Sequence, residues 1–114
     1  MKNWLGQEIK PGDVVGRGAR EGNTSSFKIG VVDVIDDKGI RVNWLYELGI
    51  YHVDKDNKVV VPHRRESKGR PALDSLFRLT YDQLWHADVK YAVLDLYRQG
   101  KLTKEQFLDK MRRD

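Results

Sequence analysis

Three histidines, several clustered aspartates, four serines of note and one arginine-rich stretch are the side chains here that could do chemistry. His52, His63 and His86 stand apart in the chain, with no cysteine near them and no H-x-x-x-H spacing. A zinc centre needs convergent ligands, so no metal is expected and each histidine reads as solvated or at a core edge. Asp54-x-Asp56-Asn57 starts like a calcium loop but lacks glycine at the sixth position and glutamate at the twelfth. It reads as a hairpin turn. Asp36 and Asp37 are explained by a second turn, and with Asp33 they form a carboxylate cluster with no pocket for acid–base work. Gly16-Arg17-Gly18 lacks the G-K-[ST] of a phosphate-cradling loop. Ser25, Ser26, Ser67 and Ser75 have no nucleophile-elbow setting. The expectation is a non-enzyme with no cofactor and no small-molecule substrate.

Charge points elsewhere. Residues 1–62 hold nine basic and nine acidic side chains, and residues 72–114 hold eight against seven. The rest of the +4 net charge sits in His63-Arg64-Arg65-Glu66-Ser67-Lys68-Gly69-Arg70, with four basic groups and one acid. Followed by Pro71, this stretch reads as a basic linker or loop over 63–71. It is either a well-solvated connection or a patch that draws in an anionic surface.

The elements that would carry these groups follow from composition and spacing. The chain has 114 residues, 39% of them apolar, with eleven aromatics and no cysteine. That composition supports one folded domain with an appendage, held without disulfides, in a reducing cytoplasmic setting. MKNWLGQEIKPGD has no apolar run suited to a signal peptide, and no stretch approaches a membrane span, so no membrane partner is expected. Pro11-Gly12-Asp13 signals a turn into a strand at Val14, and residues 20–26, devoid of large apolar side chains, read as an exposed loop. Phe27 to Ile35 reads as a central strand, and Asp36 to Gly39 turns it into a return strand. On that strand Ile40, Val42, Trp44 and Tyr46 alternate with Arg41, Asn43 and Leu45, which puts the first set on one face. A second hairpin joins Ile50–Val53 to Val59–Val61, and Pro62 is expected to end the pairing. Leu76 to Leu79 fits either a last short strand or a helical turn.

Helical signals begin at Thr80, a candidate N-cap for Tyr81 to Trp85, with Asp88 as candidate cap of a fresh helix from Val89 to Gln99. Gly100 suits a helix C-terminus. Thr103 and Gln106 form a T-x-x-Q capping box for a second helix from Lys104. Trp85 is expected to anchor the helices to the strands.

These residues carry two resemblances. Gly12-Asp13-Val14-Val15, Gly30-Val31-Val32 and Ile40-Arg41-Val42 make residues 9–61 resemble the opening strands of SH3-like barrels of the KOW type. That likeness implies a small barrel and a nucleic-acid surface, although the 20–26 loop lacks the family's compact glycine and lysine spacing. Leu94-x-Leu96-Tyr97 through Gly100-Lys101-Leu102-Thr103 to Phe107 and Lys110 resembles the SHOCT helical hairpin, which implies an oligomerisation or docking element. The layout as a whole resembles small proteins of actinobacterial phages. The expected class is α+β: a small SH3-like antiparallel β-barrel over 1–79, followed by a C-terminal helical hairpin over 80–114. Two functions stay open. One is a nucleic-acid-binding module using Arg17, Arg20, Lys28, Arg41, Arg64, Arg65, Lys68 and Arg70. The other is a protein-interaction or regulatory adaptor, self-associating or acting on another protein, through Tyr97, Leu102, Phe107 and Met111.

Overall fold

The computed structural model describes residues 1–21 and 24–112, the side chains of 19–26 excepted. The chain is α+β. Five strands, β1 (Val14–Glu21), β2 (Thr24–Asp36), β3 (Gly39–His52), β4 (Lys58–Gly69) and β5 (Phe77–Arg78), precede two helices, α1 (Tyr81–Arg98) and α2 (Lys104–Arg112). All pairings are antiparallel and the strand order is β4-β3-β2-β1-β5. A single 3₁₀ turn at Leu73–Ser75 sits just ahead of β5, so of the two readings of Leu76 to Leu79 the short strand is the one formed, at Phe77–Arg78.

The β2–β3 hairpin forms as its sequence implies. Asp36 pairs with Gly39, and the Asp36 carboxylate accepts the Lys38 amide at 2.9 Å. Ile40, Val42, Trp44 and Tyr46 are all buried. They do not share one core, however. The ladder with β2 slips at Leu45, because Ile29 pairs with Tyr46 while the next residue, Gly30, pairs with Trp44. An unpaired residue in a ladder shifts alternation to the other face. Trp44 therefore packs with Val15, Val32 and Val42 against Ile9 and Leu76, while Tyr46 packs with Val14 and Ile29 against α1. A third core joins Val59 and Val61 of β4 to Leu94, Phe107 and Leu108 of the helices. The helices are thus packed on the sheet through two of its three cores.

Two segments differ from the sequence reading. The basic stretch is not a loop, because β4 continues through Pro62 to Gly69, pairing Leu48 with Pro62 and Val42 with Gly69. β4 is an edge strand, where a proline's missing N–H costs no ladder bond if it points outward. Likewise the polar stretch expected as a loop over 20–26 is largely ladder, out to Glu21 paired with Thr24. Backbone hydrogen bonds, which need no apolar side chains, carry it.

Candidate interaction surface

Helix α1 is fixed at both ends by its own sequence. The Thr80 hydroxyl accepts the Gln83 amide at 3.3 Å, and the Gln83 side chain accepts the Thr80 amide at 2.8 Å. This capping box satisfies donors that a helix start leaves open. At the far end Gly100 has φ of 76° and donates to the Tyr97 carbonyl, while the Lys101 amide reaches back to Leu96, both at 3.0 Å. Those paired bonds close the last turn around a left-handed glycine. Between these caps the helix runs unbroken for 18 residues. Asp88 is therefore not the cap of a fresh helix. Its carboxylate sits in mid-helix and accepts the Tyr46 hydroxyl. Burial, then this bond, raises the Tyr46 pKa above its ordinary value.

The inner face of α1 is apolar. Leu84, Ala87 and Tyr91 cover Val14, Ile29 and Tyr46, with the Tyr46 and Tyr91 rings 5.9 Å apart. One turn on, fully buried Leu94 enters the core of Val59, Val61 and Phe107.

The outer face is apolar as well. Tyr81, Trp85, Val89, Ala92 and Leu96 recur at spacings of 4, 4, 3 and 4, which at about 100° per residue confines them to one arc of about 80°. Tyr81 is 67% exposed, Trp85 65%, Leu96 39% and Val89 38%. Trp85 therefore does not anchor the helix to the sheet. It lies one residue, or about 100°, away from Leu84 on the packed side. Exposed Asp82 borders the stripe on one side, and exposed Asp88 and Asp95 border it on the other. The two cations of α1 are directed elsewhere. Lys90 donates to the carbonyls of Lys110 and Met111 at 2.6 and 3.2 Å, and Arg98 lies 5.6 Å from the centre of the Tyr51 ring.

The eight residues expected to bind nucleic acid are not gathered into one surface. Arg41 meets Asp33 at 2.7 Å, Arg65 meets Glu47 at 3.0 Å, and Arg64 pairs with Glu66 while lying over the Tyr46 ring. Arg70 grips both oxygens of Asp36, at 2.9 and 3.1 Å. The Arg70 guanidinium, followed by the Lys38 amide, holds the Asp36 carboxyl below its usual range. Exposed pairs of this kind add little stability, yet at a distance each cation's field is largely cancelled by its acid. Arg17 faces Lys28 across the β1–β2 ladder, and Arg17 Nε is buried without a hydrogen-bond partner. Lys68 stands in the row of Asn43 and Val31. Val31 is three residues from Lys28 along β2, so pleating puts Lys68 on the opposite face from Arg17 and Lys28. The Arg20 side chain lies outside the described residues.

The second expected surface is packed in part against its own chain. Phe107 is fully buried, stacked on Tyr97 at 4.3 Å and edge-on to Tyr51 at 6.0 Å. Tyr97 and Met111 are half-buried against the same core, and Leu102 is half-buried. A hairpin this short gains its stability by packing, and the nearest apolar surface is its own sheet. Phe107 is therefore enclosed by its own chain, whereas Tyr97, Leu102 and Met111 keep part of their surface open. The T-x-x-Q box itself is present, with Thr103 and Gln106 exchanging bonds of 2.9 and 3.1 Å.

Among the described residues, the three histidines do not meet acids in a cluster suited to a metal. Asp54 closes its turn by accepting Asp56 and Asn57 amides and pairs with Lys104 at 2.7 Å, which draws its pKa well down. A cleft of about 360 Å³ beside the bulge is lined by Asn43, Trp44, Leu45, Glu66, Ser67 and Lys68. Among the described residues, no helix is long and apolar enough to cross a membrane.

Fold and surface together define an α+β protein, a five-stranded antiparallel sheet carrying two C-terminal helices, one of which is apolar on both sides. No protein-family model, curated protein or solved structure matches the chain.

Proposed function

We propose that this protein is a non-catalytic protein-interaction module, and that the outer face of α1 is the surface it offers. One observation carries the reading. A helix apolar on both sides is ordinarily covered on both sides, yet α1 is covered on one. The four exposed side chains leave roughly 400 Å² open, comparable to the largest apolar patch on a typical monomer, which is often functional. In this reading the sheet is an SH3-like barrel whose task is to hold α1 rigid. Its strand order, its bulges and the 3₁₀ turn before β5 support that description. Nucleic acid is the weaker reading, because Arg41, Arg64, Arg65 and Arg70 already have acidic partners in their own chain.

The test is a photo-reactive amino acid placed at Val89, with Lys38 on the exposed β2–β3 turn as control, in full-length protein expressed in its native cells. A crosslinked protein adduct is expected from position 89 and not from position 38, and Trp85→Ser should abolish it. The same adduct from both positions, or none from 89, defeats the reading. In parallel, duplex and single-stranded oligonucleotides are titrated at low and high salt. Tight low-salt binding lost on neutralising Arg64, Arg65, Lys68 and Arg70 would put the nucleic-acid reading in its place.

A further inference from the structure

We infer that the partner of this surface is an amphipathic helix with an apolar seam and basic flanks. The inference rests on the interaction reading above and adds the chemistry of the occupant. Trp85, Val89, Ala92 and Leu96 follow one another at spacings of 4, 3 and 4, the repeat by which one helix receives another. Ala92 lies in the middle of the row, where a small side chain lets a second backbone approach. The borders supply the specificity. Asp82 on one side and Asp95 on the other are exposed, with Asp88 beside them turned to the Tyr46 hydroxyl, and no lysine or arginine of α1 stands among them. In a chain of net charge +4, the charged residues of α1 that border this face are all acidic. Flanking charges choose a helix's partner by opposite sign, so the partner's flanks must be lysine or arginine.

The same charges argue against other occupants. Two copies packed antiparallel about a two-fold axis would bring like borders together, with Asp88 of one near Asp95 of the other. Nucleic acid and anionic lipid are repelled for the same reason. A basic amphipathic helix satisfies both the seam and its borders.

Three labelled synthetic peptides test this by fluorescence anisotropy against the full chain. The first has a leucine seam with Lys/Arg flanks, the second the same seam with Glu flanks, the third basic flanks with serine in the seam. The first is expected to bind saturably, with the other two weaker by about tenfold or more. Trp85→Ser should remove binding of the first peptide. Asp82→Lys with Asp95→Lys should transfer preference to the Glu-flanked peptide, in a protein whose circular dichroism is unchanged. Equal binding of the basic peptides with and without the leucine seam would overturn the proposal, since only charge would then be read. Failure of the first peptide to bind overturns it too, as would sedimentation showing that the wild-type chain covers this face with a second copy. If the peptides fail while position 89 still crosslinks to another protein, the interaction reading stands and only this partner chemistry falls.

Discussion

The two faces of α1 have similar apolar content and opposite fates. Leu84, Ala87, Tyr91 and Leu94 are enclosed by the sheet and α2, whereas Tyr81 and Trp85 are largely exposed and Val89 and Leu96 partly so, with the Tyr81 hydroxyl donating to the Gly12 carbonyl at 2.6 Å. Sequence composition does not separate them. Position relative to the β-sheet does, and the difference says that stability and recognition are divided between the sides of one helix. The comparison is exposed to experiment first at its buried pole. Leu94→Ala removes a fully buried side chain from the core shared by β4 and both helices. A loss of about 3 kcal/mol in urea unfolding is expected, as for other leucines cut to alanine in closed cores. A loss under about 1 kcal/mol would mean the inner face is no better packed than the outer one.

The end of the helix supplies the next test. Thr80→Ala deletes the hydroxyl that accepts the Gln83 amide, and about 1 kcal/mol of stability should go with it. The Gln83 half of the box survives in that variant, so Thr80→Ala with Gln83→Ala should cost more than the single change. Because the cap fixes where α1 begins, it also fixes which residues face outward.

What the sequence made legible was local. The Asp36–Gly39 turn, the Thr80 N-cap, the Thr103–Gln106 capping box and the left-handed Gly100 each depend on residues within a few positions of one another. Buried alternation along Ile40, Val42, Trp44 and Tyr46 was legible too, but not its division between two cores, because the bulge at Leu45 reflects how β2 meets β3. The acidic partners of the arginines were hidden for a related reason. Arg70 finds Asp36 from 34 positions away and Arg65 finds Glu47 from 18, and no window of sequence shows that. The outer stripe of α1 had a signal, the 4-4-3-4 spacing from Tyr81 to Leu96. Taking Asp88 as a fresh cap split the helix and hid it.

A smaller effect tests the inner side by pH. His63 of β4 is held below its usual pKa, first by burial and then by Arg98 of α1, with Glu47 opposing. The folded state therefore takes up this proton at lower pH than the unfolded chain, which titrates near about 6.5. The unfolded chain binds more proton in that window, so stability is complete above about pH 6.5 and falls as pH drops toward the folded value. His63→Gln should flatten this part of a urea-midpoint profile. Asp36 and Asp54, held low by Arg70 and Lys104, act only at lower pH, as acid reaches the ordinary carboxylate range. A profile for His63→Gln as steep as the wild type between about pH 7 and 5.5 would sever the tie between β4 and the foot of α1.

The smallest expected change in stability is the most telling. Trp85 is the largest side chain on the outer face, yet it packs in none of the three cores. Tryptophan and serine have similar helix propensity, so Trp85→Ser should leave unfolding within about 0.5 kcal/mol of wild type. Leu94→Ala removes far less material and should cost several times as much. That inversion of size and consequence is what a recognition face predicts, because its apolar area contributes only when a partner removes it from water. A loss above about 1.5 kcal/mol for Trp85→Ser would instead place this tryptophan under cover from its own chain. The two faces of α1 would then be one core, and the docking surface would have to be sought elsewhere.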